Sequence, residues 1–194
     1  MTDSRNKGGR RIVLASGSPR RRELLSAMGY DFSLCTPDVD EHIAGAPEDQ
    51  VRALAVRKAD AACALCPDAI VIAADTLVAL DGRTLGKPRD DADALTMLRA
   101  LSGRAHDVFT GLCVTDTATG RRVTCVEGTR VRFRVLTEEE IAAYVATGEP
   151  RDKAGAYAIQ GGAGAFVEGY DGSYTNVIGL PTERLEEILN DMLS

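Results

Sequence analysis

Tryptophan is absent from this 194-residue chain and aromatic side chains make up only 5% of it, so the sequence carries no platform on which nucleic-acid bases could stack. A net positive charge is absent too. The 23 Lys and Arg against 29 Asp and Glu leave a formal charge of −6, which argues against a nucleic-acid partner while leaving room for a local cationic pocket. No apolar run approaches the roughly 20 residues that a membrane-spanning helix needs, so no membrane partner is expected. The polar residues 1–11 lack the apolar stretch of a secretory signal, and the expected location is the cytoplasm. Histidine is scarce: His42 and His106 have neither zinc-ligand spacing nor the context of a Ser-His-Asp triad. Cysteines number five, an odd count for a disulfide framework. Cys63 and Cys66 form a CxxC, but Cys113 and Cys125 lie far off and twelve apart, so the set reads as small apolar residues rather than a zinc site.

What is present is the balance of a globular chain, 44% hydrophobic and 27% charged, over a length that suits one core with an internal cleft. The expected organisation is a flexible N-terminal tail over residues 1–10 and a single domain over residues 11–194. Residues 11–15 read as a short buried strand. Ser18 is placed to cap a helix and Pro19 to begin it, and Gly29 stops it. Residues 31–35 read as a second strand, 36–47 as an acidic loop, and 48–65 as a helix whose Val51, Leu54, Ala55, Ala59 and Ala62 share one face. The uninterrupted apolar run 69–74 predicts a central strand, residues 77–80 continue extended, and Asp81-Gly82 predicts a hairpin turn. Then come a helix over 90–101, strands over 108–116 and 122–135, and a helix capped by Thr137 with Glu140 at the capping-box position. A Gly-rich stretch, 149–172, with a short strand at 165–167, precedes the last helix, which follows Pro181 and runs to about Met192. Strands and helices alternate, so the fold class is α/β with a mixed twisted sheet.

Two places can carry chemistry. Asp75 directly follows the apolar run 69–74, so a buried strand delivers a carboxylate to its own end, the edge at which open α/β sheets bind ligands. From position alone, a turn cap with Thr76 is the plainer reading. The other place is Ser16-Gly17-Ser18, which opens a helix and offers backbone N–H groups at a positive dipole end. Arg20, Arg21 and Arg22 follow at once, where that dipole disfavours them, and so point to an anion, phosphate above all. A solvated basic turn accounts for them equally. The loop is not a Walker A motif, and QGGAGAF at 160–166 fails GxGxxG. Lys58, Lys87 and Lys153 are further cations, each singly read as a surface lysine. Asp38, Asp40 and Glu41, together with Asp75, offer the hard oxygens that Mg²⁺ takes, although an acidic solvated loop explains them as well.

The stretches LASGSPRRRELL, DVDE, AADTLVALDG, LGKPRD, MLRALSGRAHDVFTG, DKAGAYAIQG and GSYTNVIGLP, in that order from Ile12 to about Leu189, resemble the Maf family of nucleoside triphosphate pyrophosphatases. The resemblance implies a Maf/ITPase-like fold, a mixed twisted sheet flanked by helices with a central substrate cleft. It places the catalytic base on Asp75 and substrate contacts on Ser16, Arg20, Arg21, Glu41, Lys58, Lys87, Asp152 and Lys153. It implies a divalent metal, Mg²⁺ first and Mn²⁺ as the alternative, at Asp75 and Glu41, and a homodimer. Family members divide into a dTTP/UTP group and a 7-methyl-GTP group. Arg20 after Pro19, Thr76 after Asp75, and Gln160 all match the first group, in which these three positions set specificity. A Gln amide both donates and accepts, as the pairing edge of uracil or thymine requires.

The resulting expectation is a house-cleaning hydrolase that cleaves dTTP, UTP and modified pyrimidine relatives to the monophosphate and pyrophosphate. Two other readings stay open: a 7-methyl-GTP pyrophosphatase on the same fold, and a nucleotide-binding regulator of cell division without turnover, which the family's link to septum formation suggests.

Overall fold

The computed structural model describes residue 6 and residues 9–194, so residues 1–5, 7 and 8 of the expected tail lie outside the described residues. Strand β1 (Arg11–Leu14) leads into helix α1 (Pro19–Ala27). Ser18 Oγ accepts the N–H of Arg21 and Pro19 fills the first turn, while Gly29, at φ 82°, ends the helix. The second strand is shorter than its sequence suggests. β2 (Ser33–Leu34) keeps only two residues in register with β1, because it lies at the sheet edge and the chain leaves into a loop at Thr36-Pro37.

Helix α2 (Pro47–Cys63) is followed by β3 (Ala69–Leu80), a twelve-residue strand in which the apolar run and the extended stretch after it merge. Asp81 and Gly82 both adopt positive φ, 52° and 73°, as a tight hairpin turn requires, and bring β4 (Arg83–Leu85) back onto β3. Helix α3 (Asp91–Leu101), the long hairpin β5 (Ala105–Asp116) and β6 (Arg122–Phe133), and helix α4 (Glu138–Ala146) follow. The Thr137 capping box forms as the sequence implies. Its hydroxyl accepts the Glu140 N–H at 3.2 Å and the Glu140 carboxylate accepts the Thr137 N–H at 2.9 Å.

The Gly-rich stretch differs from expectation. It forms 3₁₀ turns at Glu149–Asp152, Ala154–Ala156 and Gly162–Phe166, and its strand β7 (Val167–Asp171) begins where the expected one ends. β7 forms there because β6 offers it a free edge from Arg130 to Phe133. Helix α5 (Tyr174–Ile178), between the Ser173 cap and Gly179, has no counterpart in the sequence reading, since five residues are too few to display a helical period. α6 (Thr182–Met192) closes the chain. No helix among the described residues is long and apolar enough to cross a membrane.

The mixed sheet runs β2-β1-β3-β5-β6-β7, with β4 also on β3. β5 pairs with β3 along nearly its whole length, from Ile70↔Asp116 to Ala79↔Asp107. On the other flank β3 changes partner. Parallel β1 stops at Ile72 and antiparallel β4 begins at Val78, so residues 73–77 have no strand beside them. Ile12, Leu14, Ile70 and Ile72 pack beneath α1 and α6 on one face, and Val13, Val71 and Ala73 pack beneath α2 on the other. A third apolar cluster joins the far half of the sheet to α3 and α4 through Val78, Leu98, Phe133, Tyr144 and Tyr157. All five cysteines are free thiols, and burial pushes those of Cys35, Cys63 and Cys125 up, away from reactivity.

α2 lies unusually close to the sheet. Its inward face is alanine-rich, and opposite Asp75 stands Gly111, where a Cβ would sit 2.2 Å from the backbone oxygen of Val51. Only glycine fits there. Gly111→Ala must push α2 away from β5, and should lower the unfolding free energy by about 2 kcal/mol or more, the cost typical of an overpacked core. Urea denaturation measures this, and an unchanged midpoint would show that α2 is not held by backbone contact.

Candidate active site

The unpaired flank of β3 opens into a cavity of about 580 Å³. Asp75, Thr76 and Leu77 form its floor. The loop after β1 and the start of α1 supply one wall through Ser16, Arg20 and Arg21, and α2 supplies Lys58. Glu41 comes from the acidic loop, Lys87 from the segment after β4, and Asp152, Lys153 and Gln160 from the Gly-rich stretch. Every residue on which the family resemblance places a role therefore lines one cavity, while Arg22 does not. Asp38 and Asp40 do not; Asp40 instead accepts the backbone N–H of His42 on the surface.

Strand alternation divides the cavity between the two faces of the sheet. On the α2 face, Lys58 Nζ donates to Asp75 Oδ1 at 2.6 Å and to Glu41 Oε1 at 2.7 Å. The lysine side chain is 14% exposed and that of Asp75 is 12%, so this is a mostly buried ammonium shared by two carboxylates. The Lys58 hydrogen bond holds the Glu41 carboxyl below its usual range, with Lys87 and Arg21 pulling the same way at longer reach. Lys153 pairs with Asp152, whose carboxyl is likewise held down, chiefly by that bond.

Arg21 faces inward. Its Nε donates to Gly179 O at 2.7 Å, and its two terminal nitrogens donate to Ser16 Oγ at 3.3 Å and Thr76 Oγ1 at 3.0 Å, which uses three of the five N–H groups of a guanidinium. It ties α1, the end of β1, β3 and the α5–α6 corner together at one point. The first loop is also less open than its sequence implies. The Ser18 amide is taken by Ser16 Oγ and the Arg21 amide by Ser18 Oγ.

On the opposite face the lining is mainly apolar: Val108, Tyr157, Ile159, Val177 and Ile178, with Thr76 and the exposed Gln160. The direction of the hydroxyl protons here can be worked out. Thr110 can only donate to the Asn176 carbonyl, at 3.0 Å. Thr76, at 2.9 Å from Thr110, must then donate to it while accepting from Arg21. Thr76 thus keeps only accepting capacity for anything else. The fully buried Asn176 secures this end of the site by donating its amide to Val108 O and Thr129 Oγ1. The Gly-rich stretch is laid tightly against β3. Gly155 and Ala156 both hold positive φ, 67° and 60°, and a Cβ on Gly155 would meet Val78 at 2.9 Å.

Sequence reasoning missed Tyr157, Asn176 and Glu149, which shape this half. The signal available was slight, an amide among short β-branched and aromatic neighbours for Asn176 in YTNVI and a single aromatic among small residues for Tyr157 in AGAYAI, and their partners lie in distant segments.

Comparison with known proteins matches this arrangement to a family. A family model described as "Maf-like protein" matches residues 11–192. A dTTP/UTP pyrophosphatase of Pelotomaculum thermopropionicum is 53% identical over 180 residues, which cover 92% of this chain and 94% of the relative. A dTTP/UTP pyrophosphatase of Geobacter sulfurreducens is 51% identical over 184 residues, covering 94% and 95%. Among solved structures, a HAM1 protein from Coxiella burnetii superimposes with a TM-score of 0.51 at 18% identity, over 94% of this chain and 99% of that one, a likeness of fold.

One buried group behind the cavity has a pH consequence. His106, 1% exposed, pairs through Nε2 with the Tyr157 hydroxyl at 2.8 Å, and burial pushes its pKa from 6.5 down to about 4. As pH falls, the unfolded chain takes up this proton first, so stability is lost between those two values, by up to about 3 kcal/mol. Between about pH 7 and pH 5 the wild type should lose roughly 2 kcal/mol more than His106→Gln in urea unfolding. Equal losses would clear His106 of this role.

Proposed function

The chain belongs to the Maf family, and from that footing we propose that it hydrolyses dTTP and UTP to the nucleoside monophosphate and pyrophosphate. The observation that carries this reading is the Asp75–Lys58–Glu41 set at the open flank of β3, in a cavity whose charged wall bears Arg20, Lys87 and Lys153. Water attacks the α-phosphorus. The new P–O bond forms as the bond to the bridging oxygen breaks, pyrophosphate leaves with that electron pair, and Asp75 takes the proton from water. Lys58 holds one oxygen of Asp75 and leaves the other for this task. Arg20, Lys87 and Lys153 neutralise the triphosphate and the charge that grows on the leaving group. Ser16 and Arg21 support them by fixing the first loop against β3.

Asp75 and Glu41 both reach the same ammonium, so their oxygens converge, and hard carboxylate oxygens fit Mg²⁺ or Mn²⁺. A cation held by these two carboxylates would complete its shell with phosphate oxygens and water. When bound, the metal supplies further neutralisation of the triphosphate. A homodimer in the cytoplasm belongs to this proposal on the strength of the family resemblance, and a light-scattering mass tests the dimer.

The uncharged half of the cavity accounts for base choice. Thr76 accepts and does not donate, which suits the ring N3–H of uracil or thymine and not the bare N3 of cytosine. Gln160 both donates and accepts.

The deciding experiment is product analysis with Mg²⁺ and separate dTTP, UTP, CTP, 7-methyl-GTP and ATP. Pyrophosphate with UMP or dTMP supports the reading, preference for 7-methyl-GTP overturns the base assignment, and binding without turnover favours a regulator. Asp75→Asn should fold normally and lower kcat by about a thousandfold, within the range general bases contribute. Activity near wild type would remove Asp75 from the chemistry. Thr110→Val frees the Thr76 proton to turn, so the kcat/KM ratio of UTP to CTP should fall by about tenfold. A ratio that stays put would take Thr76 out of base reading.

A further inference from the structure

Gln160 is the one long polar side chain on the uncharged wall, and it sits on a turn rather than on a strand or helix. A flexible amide on a loose turn discriminates poorly, because an orienting group must be held to a fraction of an ångström. The turn is not loose. Its backbone is gripped on both sides of Gln160 by two side chains that stand outside the cavity, Tyr144 on α4 and Glu149 at the start of the following 3₁₀ turn. Tyr144 Oη accepts the Ala158 N–H at 3.2 Å and donates to Glu149 Oε1 at 2.9 Å. Glu149 Oε2 accepts the Gly162 N–H at 3.2 Å. Thr147 braces the pair, donating to the Tyr144 carbonyl and accepting the Glu149 amide. Across the turn itself, Gly161 N–H donates to Ala158 O at 3.0 Å.

Three further facts mark this as a fitted arrangement. A Cβ on Gly161 would lie 1.9 Å from Glu149 Oε1, so a side chain there would displace the carboxylate from the position in which it holds the turn. The Tyr144 ring is held edge-on by Phe166, with centroids 5.2 Å apart. Burial and the Glu149 carboxylate raise the Tyr144 pKa, so the phenol remains a donor throughout the working range.

We propose that Tyr144 and Glu149 are positioning residues for pyrimidine selection: they clamp the 158–162 turn so that the Gln160 amide meets the base edge in one orientation. The inference rests on the dTTP/UTP reading above. It differs from a purely structural role in what it predicts, since a clamp for Gln160 governs discrimination between bases more than the rate of bond cleavage.

The test is a double-mutant cycle read as selectivity. Steady-state kinetics on UTP and CTP are measured for wild type, Tyr144→Phe, Glu149→Gln, Gln160→Ala and Tyr144→Phe/Gln160→Ala, with thermal melting alongside. Tyr144→Phe keeps the ring packing and loses both bonds of the hydroxyl. It should lower the UTP-to-CTP ratio of kcat/KM by about tenfold, mostly through KM for UTP. Glu149→Gln retains one accepting oxygen for two donors and should fall between Tyr144→Phe and wild type. In the Gln160→Ala background, Tyr144→Phe should lower the ratio no further. An unchanged ratio in Tyr144→Phe, or a loss that adds in full to that of Gln160→Ala, overturns the clamp. So does a parallel loss for both nucleotides that tracks melting temperature. A wild type without preference for UTP over CTP defeats the functional reading itself, and is seen before any variant is made.

Discussion

The structure depends on β3 changing its neighbour. Along one flank it is bonded continuously to β5 from Ile70 to Ala79, and every residue of the strand but Thr76 and Leu77 is buried. Along the other, β1 ends at Ile72 and β4 starts at Val78. A strand in the middle of a sheet cannot leave backbone groups unpaired in a dry interior, so the interval between those partners must meet water or a ligand. The cavity follows from this constraint. It lies where two strands of opposite direction fail to meet, and it reaches both faces of the sheet because no strand closes it. Asp75 stands at the middle of the interval and Thr76 next, so strand alternation assigns one to each face.

Charge on the α2 face is affordable only because the helix comes close. An isolated carboxylate as buried as Asp75 would be costly, and Lys58 offsets that cost from two turns beyond the point where Val51 rests on Gly111. The small residues Ala55, Ala59, Ala73 and Gly111 contribute little apolar area. Their value lies in the distance they set, since Leu or Val in their place would lift α2 and part Lys58 from Asp75. Packing and electrostatics are here one constraint, and Glu41, mostly exposed on a loop, is drawn in by the same ammonium.

Much of this was legible in the residues. Caps and stops are local chemistry, so Ser18-Pro19, the Thr137–Glu140 box and Asp81-Gly82 could be read directly. The apolar run ending at Asp75 located the strand and its carboxylate. What could not be read is non-local. Position alone left Asp75 as a turn cap, because its partner Lys58 lies seventeen residues away on another element. Arg21 was legible as a cation at the first loop, but not as the bridge to Gly179, 158 residues on, which accepts from it. Glu149 and Tyr144 carry no sequence signal at all, since their partners are backbone amides in a glycine-rich turn without period. The short β2 and α5 escaped for a simpler reason: two and five residues are below the length at which a pattern exists.

The two halves of the cavity divide the labour of a nucleotide hydrolase by physical type. Every triphosphate carries the same charge, so Lys58, Arg20, Lys87 and Lys153 cannot tell one nucleotide from another, however strongly they bind. Discrimination must come from neutral groups whose donor or acceptor character is fixed before the base arrives, because a group free to turn accommodates either partner. The protein fixes that character from behind the surface. The guanidinium of Arg21 and the carbonyl of Asn176 bracket Thr76 and Thr110 with an obligate donor at one end and an obligate acceptor at the other, which leaves their hydroxyls a single arrangement. Tyr144 and Glu149 do for the Gln160 turn what that bracket does for Thr76. On the proposed reading, selectivity in this chain resides as much in residues that never meet the nucleotide as in those that line the cavity, so a change at either bracket should alter which base is accepted while the charged half continues to cleave.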